Sequence, residues 1–329
     1  MKVHPTVRVR AHPSLALIKY WGKQAKGINI PATSSLAVTL DSLYTDTVIS
    51  PGSGGMKIEL DGSIVDPARY APFLRQLEKL AGHTVSLTIS SRNSFPSAAG
   101  LASSSSGYAA LALGCSAALG LDLPPGEISS LARIGSGSAA RAVYPGFTVL
   151  RAGSTRAEPL RGAGFWPELR IGLCVVSPTA KKTSSRDGMN EARRSSPYYR
   201  AWLADSRGVM QGAEAAFLRR DLKELGALMR QSYLRMFSTM LSSDPPLIYW
   251  KPETLALLHA LEDLRAEGVN VWETMDAGPQ VKFLCEAGDL QRVLTALSGA
   301  APSVDCLSAA PGGEPRIEFI SSPEAAAWR

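Results

Sequence analysis

The sequence predicts an α+β protein. Three features point there. The first third reads as short alternating strands separated by turns, and a long helix of small residues follows it. The last 130 or so residues carry helical periodicity broken by a few strands. The regular strand–helix alternation of a doubly wound sheet is missing, as is a GxxxxGK[ST] phosphate loop.

Taken in order, Thr6–Arg10 and Ser35–Leu40 alternate apolar with polar residues and read as strands. Thr45–Ser50 and Met56–Leu60 flank the glycine-rich turn 51–55. Ala71–Ala81 has helical spacing, and Thr84–Ser90 alternates again. A Gly/Ala/Ser stretch then opens a helix over Ser103–Gly120, stopped by Gly120 and Pro124-Pro125. Glu127–Ile134 is a short helix; Phe147–Arg151 and Leu169–Ser177 are strands. Helices are expected at Tyr198–Phe217, Asp221–Met240 and Pro252–Glu267. Strands Asn270–Thr274 and Val281–Cys285, a helix Asp289–Ser298 and a strand Arg316–Ile320 complete the chain. This divides it into two lobes, residues 1–180 and 181–329.

A chain of 329 residues with 45% apolar and 19% charged residues has the balance of a globular protein. Cys115, Cys174, Cys285 and Cys306 lack CxxC spacing and do not read as a disulfide framework, which fits a reduced cytoplasmic setting. The start of the chain has no signal-peptide core, and its longest small-apolar run is too short to cross a bilayer, so no membrane partner is expected. Four histidines argue against a multi-histidine metal site. The net charge of +6 is spread singly, as Lys19, Lys23, Arg133, Arg141, Arg186 and others, within Gly/Ser-rich text. That fits one small polyanion better than nucleic acid, whose binders carry denser basic runs with interleaved aromatics.

Residues 96–107 (PSAAGLASSSSG) lie between a predicted strand and a predicted helix. Small residues let backbone N–H groups approach an anion, the helix N-terminus adds positive potential, and serine hydroxyls can meet phosphate or magnesium. The segment resembles the ATP-binding loop of the GHMP kinase superfamily, through Pro96, Gly100, Leu101, Ala102, Ser103, Ser104, Ser105 and Ser106. Three further segments narrow the resemblance: 16–23 (ALIKYWGK), 135–146 (GSGSAARAVYPG) and 274–279 (TMDAGP). Together with 184–189 and 240–246 they make the chain similar to the mevalonate diphosphate decarboxylase family, from about residue 8 to 320.

The resemblance implies a GHMP kinase fold, with an N-terminal lobe like ribosomal protein S5 domain 2 and a ferredoxin-like C-terminal lobe, assembled as a homodimer. It implies ATP and Mg2+ as cofactors and mevalonate 5-diphosphate as the small-molecule substrate. The reaction would phosphorylate the C3 hydroxyl, expel that phosphate and release CO2, leaving isopentenyl diphosphate. Asp276 would meet the C3 hydroxyl as general base or orienting group, and Arg141 would grip the C1 carboxylate through a planar fork. Lys19 would balance charge in the same cleft. Tyr20 and Lys23 would hold the diphosphate, Ser136 and Ser138 would contact the substrate phosphates, and Ser185 and Arg186 would approach from the second lobe. Metal ligands stay unknown. Ser185 also fits a helix N-cap.

Ser14 and Thr33 stand where the family usually has Asn, and Gln280 replaces another Asn. The first two are expected near the substrate end, which leaves two alternatives open: the same chemistry on mevalonate 5-phosphate giving isopentenyl phosphate, or a 3-kinase without decarboxylation. An RNA-binding protein, motivated by the pI of 9.2, is a non-enzymatic competitor.

Overall fold

The structure is a computed structural model that describes residues 5–24, 29–95, 103–179 and 181–321. Its strands are β1 (Thr6–Ala11), β2 (Ser14–Ala16), β3 (Ser35–Thr39), β4 (Thr45–Pro51), β5 (Lys57–Leu60), β6 (Ser63–Val65), β7 (Leu87–Asn93), β8 (Phe147–Leu150), β9 (Glu158–Arg161), β10 (Leu169–Val175), β11 (Trp272–Met275), β12 (Val281–Glu286), β13 (Asp305–Ala309) and β14 (Arg316–Ile320). Its helices are α1 (Ala71–Ala81), α2 (Ser103–Ala118), α3 (Pro125–Gly135), α4 (Ser185–Ser195), α5 (Tyr199–Leu218), α6 (Leu222–Leu241), α7 (Pro252–Ala266) and α8 (Leu290–Ala300). The α+β class holds.

Three sheets form the frame, in the orders β14-β1-β4-β7-β5-β6, β2-β3-β8-β9 and β11-β12-β10-β13. Pairing is antiparallel except between β5 and β7. The first sheet alternates as its sequence does: Val7, Val9 and Ala11 of β1 point into a core against α1, α2 and α3, while Arg8 and Arg10 face outward. Helix α2 is buried on nearly every side because its residues are small. Gly114 brings it against Val9 and Ile49, where a Cβ would collide with the Ile49 side chain. The second sheet packs against α5 and α6 through Leu36, Val38, Phe147, Val209, Ala213 and Phe217. A third core joins α6, α7, α8, β11 and β12.

Two strands cross the division read from sequence. β10 lies before residue 180 yet pairs with β12 and β13, and β14, last in the chain, returns to pair with β1. Four short strands escape the sequence reading. β2, β6, β9 and β13 are three to five residues long, mostly polar or at sheet edges, so their pairing depends on distant partners. Helix α4 begins where the sequence reads as a helix N-cap, at Ser185. Its N-cap is Ser184, whose hydroxyl accepts from Asp187 N at 3.1 Å, so Ser185 is the first helical residue.

The cysteines need a correction. Cys174 and Cys306 occupy directly opposed positions on β10 and β13 and form a disulfide, while Cys115 and Cys285 are free and buried. Residues 132 apart in sequence meet only through sheet register, which spacing rules do not reveal. Among the described residues no helix is long and apolar enough to cross a membrane.

Phe217 is the aromatic hub of the middle core, 4.6 Å from the ring centre of Phe147, 5.0 Å from Phe165 and 6.1 Å from Trp166. Phe217→Ala is expected to cost about 3–5 kcal/mol in urea-unfolding free energy. A loss below ~1 kcal/mol would show that this core collapses around the cavity.

Candidate functional site

The site is built where chain segments leave strands with their side chains already fixed. After β2, Leu17 N and Ile18 N both donate to Leu36 O, which turns the 19–23 segment off the sheet. Lys19 is then held at both ends. Its backbone N–H donates to Ser232 Oγ on α6 (3.0 Å), and its Nζ donates to Ala16 O (2.7 Å). Thr33 closes the segment: its hydroxyl accepts from Trp21 N at 3.2 Å and donates to Lys19 O at 3.3 Å. Trp21 is core, and its carbonyl accepts from the Trp202 indole.

From the other half of the chain, β11 ends at Met275 and delivers Asp276 in a turn of small residues. Lys19 Nζ donates to one carboxylate oxygen at 2.9 Å, and Lys282 Nζ donates to the other at 3.0 Å. Lys19 and Lys282 are 1% and 2% exposed, whereas the Asp276 side chain is 35% exposed. The carboxylate is therefore held from behind by two buried ammonium groups and is open on one side.

Electrostatics follow from this packing. Burial works to raise the Asp276 pKa, but Lys19 and Lys282 prevail and hold the carboxyl well below the usual carboxylate range. Burial pulls Lys19 down to about 8, opposed by Asp276 and assisted by Lys282 and Arg141. Asp276 is thus an ionised acceptor with little affinity for a proton, which favours orientation of a hydroxyl over its full deprotonation.

Arg141 follows a tight turn over Gly137–Ala140 after α3. Its guanidinium donates to the Ser35 hydroxyl, its Nε is buried without a protein partner, and burial draws its pKa down to about 10 against the pull of Asp276. The Tyr20 hydroxyl is buried and unpartnered as well. Burial raises its pKa to about 12, while Arg141, Arg133 and Arg186 act against that rise. Gly137 has to be glycine, because a Cβ there would lie 2.7 Å from the Tyr20 ring. Lys23 is buried, and burial followed by the nearby Arg186 lowers its pKa to about 8. Arg186 also donates to Gly135 O at 3.1 Å.

Ser136 Oγ lies 3.3 Å from Ser104 Oγ and 3.1 Å from Ser138 Oγ, a hydroxyl chain linking the start of α2 to the turn before Arg141. The serines of α2 divide. Ser104 is exposed and Ser103 half-buried, but Ser105 and Ser106 are fully buried. Ser105 accepts from Ser14 N and donates to Ser138 O, and Ser106 bonds to Thr45. Those two hydroxyls brace the start of the helix against Ser14, Ser138 and Thr45. Pro96, Gly100, Leu101 and Ala102 lie outside the described residues.

The sequence reading missed two lysines. Lys282 is the lone cation in the mostly apolar strand Val281–Glu286, and its register opposite Thr274 puts it on the same face as Asp276. Lys181 Nζ donates to Ser185 Oγ (2.6 Å) and Ala277 O. Burial, with Lys282, lowers its pKa to about 8 against the pull of Asp276. Ser185 is thus already engaged by a cation next to the Asp276 turn. The three departures from the family's usual residues take structural partners. Thr33 spends its hydroxyl on backbone, Gln280 clasps Ser177 through both its amide atoms, and Ser14 donates its backbone N–H to Ser105 while its own hydroxyl is buried without a protein partner. Among the described residues no cluster of three His, Cys, Asp or Glu forms a metal site.

Comparison with known proteins places this arrangement. Residues 11–160 match a family model described as the diphosphomevalonate decarboxylase-like N-terminal domain, and residues 171–327 match the mevalonate 5-diphosphate decarboxylase C-terminal domain. The human diphosphomevalonate decarboxylase is 33% identical, with 83% of this chain and 75% of that protein covered. The crystal structure of mevalonate diphosphate decarboxylase from Staphylococcus aureus superposes with a TM-score of 0.89 at 34% identity, covering 95% of this chain and 98% of that one. A structure of MDDEF in complex with MVAPP, AMPPCP and magnesium superposes with the same score at 35% identity, covering 96% and 99%.

Because Asp276 raises the proton affinity of Lys19, Asp276→Asn is expected to lower the Lys19 midpoint below 8. An NMR titration of 13Cε-labelled lysine checks this; an unchanged or higher midpoint would contradict the pairing.

Proposed function

The chain belongs to the diphosphomevalonate decarboxylase family, and we propose that its site carries out the ATP-dependent decarboxylation of mevalonate 5-diphosphate to isopentenyl diphosphate, ADP, phosphate and CO2. The observation that carries this reading is an ionised, half-open carboxylate on two buried lysines, next to a buried arginine with an unpartnered Nε.

Asp276 accepts a hydrogen bond from the C3 hydroxyl and aims its oxygen at the γ-phosphoryl group. Phosphoryl transfer depends mainly on such positioning and on charge stabilisation, so a weakly basic carboxylate suffices. Lys19 and Lys181 offset negative charge that builds on the transferred group. Arg141 takes the C1 carboxylate on the guanidinium edge left free by Ser35, and the grip loosens as the carboxylate becomes neutral CO2. As the C3 phosphate leaves, the anionic Asp276 stabilises the positive character at carbon. Tyr20, Lys23, Arg186 and the Ser136–Ser138 hydroxyls hold the 5-diphosphate, a reading supported by the buried Tyr20 hydroxyl that has no protein partner.

ATP lies along the 96–106 segment, with Ser103 and Ser104 the described residues turned toward it. Magnesium would be held with the nucleotide by hydroxyls such as that of Ser104 and would supply positive charge to offset the phosphates. In this proposal the nucleotide lobe spans 1–180 and the Asp276 lobe 181–329, tied together by β10 and β14. The protein acts as a homodimer in the cytoplasm and binds no nucleic acid. A reduced cytoplasm would open the Cys174–Cys306 bridge between strands that are already hydrogen-bonded.

Purified protein with ATP and magnesium is expected to release CO2 and isopentenyl diphosphate from mevalonate 5-diphosphate. CO2 from mevalonate 5-phosphate alone, or ADP without CO2, would overturn the assignment. Asp276→Asn is expected to reduce kcat by at least about 1000-fold while retaining ATP binding. Arg141→Gln removes a charge-assisted pair of roughly 2–4 kcal/mol, so turnover should fall about 30- to 1000-fold. An unchanged rate would place the carboxylate contact elsewhere.

A further inference from the structure

Lys282 is not among the residues the motifs single out, yet it holds half of the Asp276 carboxylate. It comes from β12, its Nζ is 3.0 Å from Asp276 Oδ2, and it is 2% exposed. Lys19 holds Oδ1 from the opposite half of the chain. The second lysine is more than charge balance for a single carboxylate. Lys19, Lys181 and Arg141 already surround Asp276, and one ammonium neutralises one carboxylate. A buried cation that is not needed for neutrality costs desolvation unless it does something else.

The ligands supply the reason. On the reading proposed above, a substrate carboxylate and several phosphates arrive beside Asp276. Like charges at that distance would drive a carboxylate to take up a proton or to swing away. A protonated Asp276 would offer an O–H where an acceptor is needed, and a swung one would lose its aim. Lys19 alone cannot prevent both, because it fixes a single oxygen and is itself drawn toward the incoming anions.

We infer that Lys282 is a positioning residue for this reaction, which keeps Asp276 ionised and aimed at the substrate hydroxyl while polyanions fill the site. It acts through Asp276 and needs no contact with ligand, in keeping with its burial. The groups around the Lys19–Asp276 pair come from several elements: Lys282 on β12, Arg141 after the Gly137–Ala140 turn, Lys181 before α4, Ser232 on α6 and the Ala16 carbonyl on β2. Removing Lys282 takes a like charge away from Lys19 and leaves it the one ammonium hydrogen-bonded to Asp276, and both changes favour its protonated form.

Lys282→Met is expected to lower kcat by about 10- to 100-fold with the KM of both substrates within about threefold, since the lost effect is on the reacting hydroxyl. In the same variant the 13Cε titration midpoint of Lys19 should rise from about 8 by about one pH unit. Lys282→Arg keeps the charge and should keep kcat within about tenfold. It also serves as the test should the Met variant not fold. A kcat within about twofold of the parent in the Met variant overturns the inference. So does a lower kcat with an unmoved Lys19 midpoint, or a folded Arg variant as slow as the Met one. An active Asp276→Asn would sink the reading of Asp276 itself, whereas an inactive Asp276→Asn beside a normal Lys282→Met would remove only the role of Lys282.

Discussion

The site depends on one carboxylate suspended between two buried ammonium groups. Lys19 comes from the strand-rich front of the chain and Asp276 and Lys282 from the back, so the pair across Asp276 is also a join between the two halves. A buried ion pair contributes little to net stability, because desolvation offsets attraction. Its value here is geometric. Three side chains with long-range partners can meet only when β2, α6, β11 and β12 are all in place, so a formed site is also a correctly packed interior.

The fold is arranged to make that meeting cheap. β11 and β12 are adjacent antiparallel strands, and their register sets Thr274 opposite Lys282, so Asp276 and Lys282 emerge on one face without strain. The 19–23 segment, by contrast, has left its sheet and would have unsatisfied backbone groups. Ser232, Thr33 and the Trp202 indole satisfy them one by one. Each such bond is worth about 1 kcal/mol, but leaving a buried N–H unpaired costs about 1–3 kcal/mol. The loop is thereby confined to a single conformation.

Much of this was legible in the sequence. Helix α1 has the expected bounds, and α2, α3, α5, α6, α7 and α8 agree within two residues at each end, because apolar spacing and capping residues act locally. Asp276, Arg141 and Lys19 stood out because they sit in motifs. What stayed hidden depends on tertiary register. β13 is an exposed strand without alternation that exists only because β10 offers it an edge, and the Cys174–Cys306 bridge follows from that pairing. Lys282 looked like an ordinary charge in a strand, and only its partner across the sheet reveals that it is buried against Asp276. The serines of 103–106 show the same limit at finer scale: the motif marks four hydroxyls, and helical rotation turns two of them inward.

The departures from the family's usual residues then take a physical meaning. Thr33 and Gln280 replace amides, yet each hydrogen-bonds backbone in two places, Lys19 and Trp21 for one and Ser177 for the other. A hydroxyl or a longer amide does that work when it can donate and accept at once, which both can. Their side chains are committed to holding the segments that carry Lys19 and Asp276. Lys23, Arg186 and Arg133 stand as cations around the Tyr20 hydroxyl. Burial lowers the proton affinity of Lys23 and Arg133, a cost that an anion brought beside them would offset.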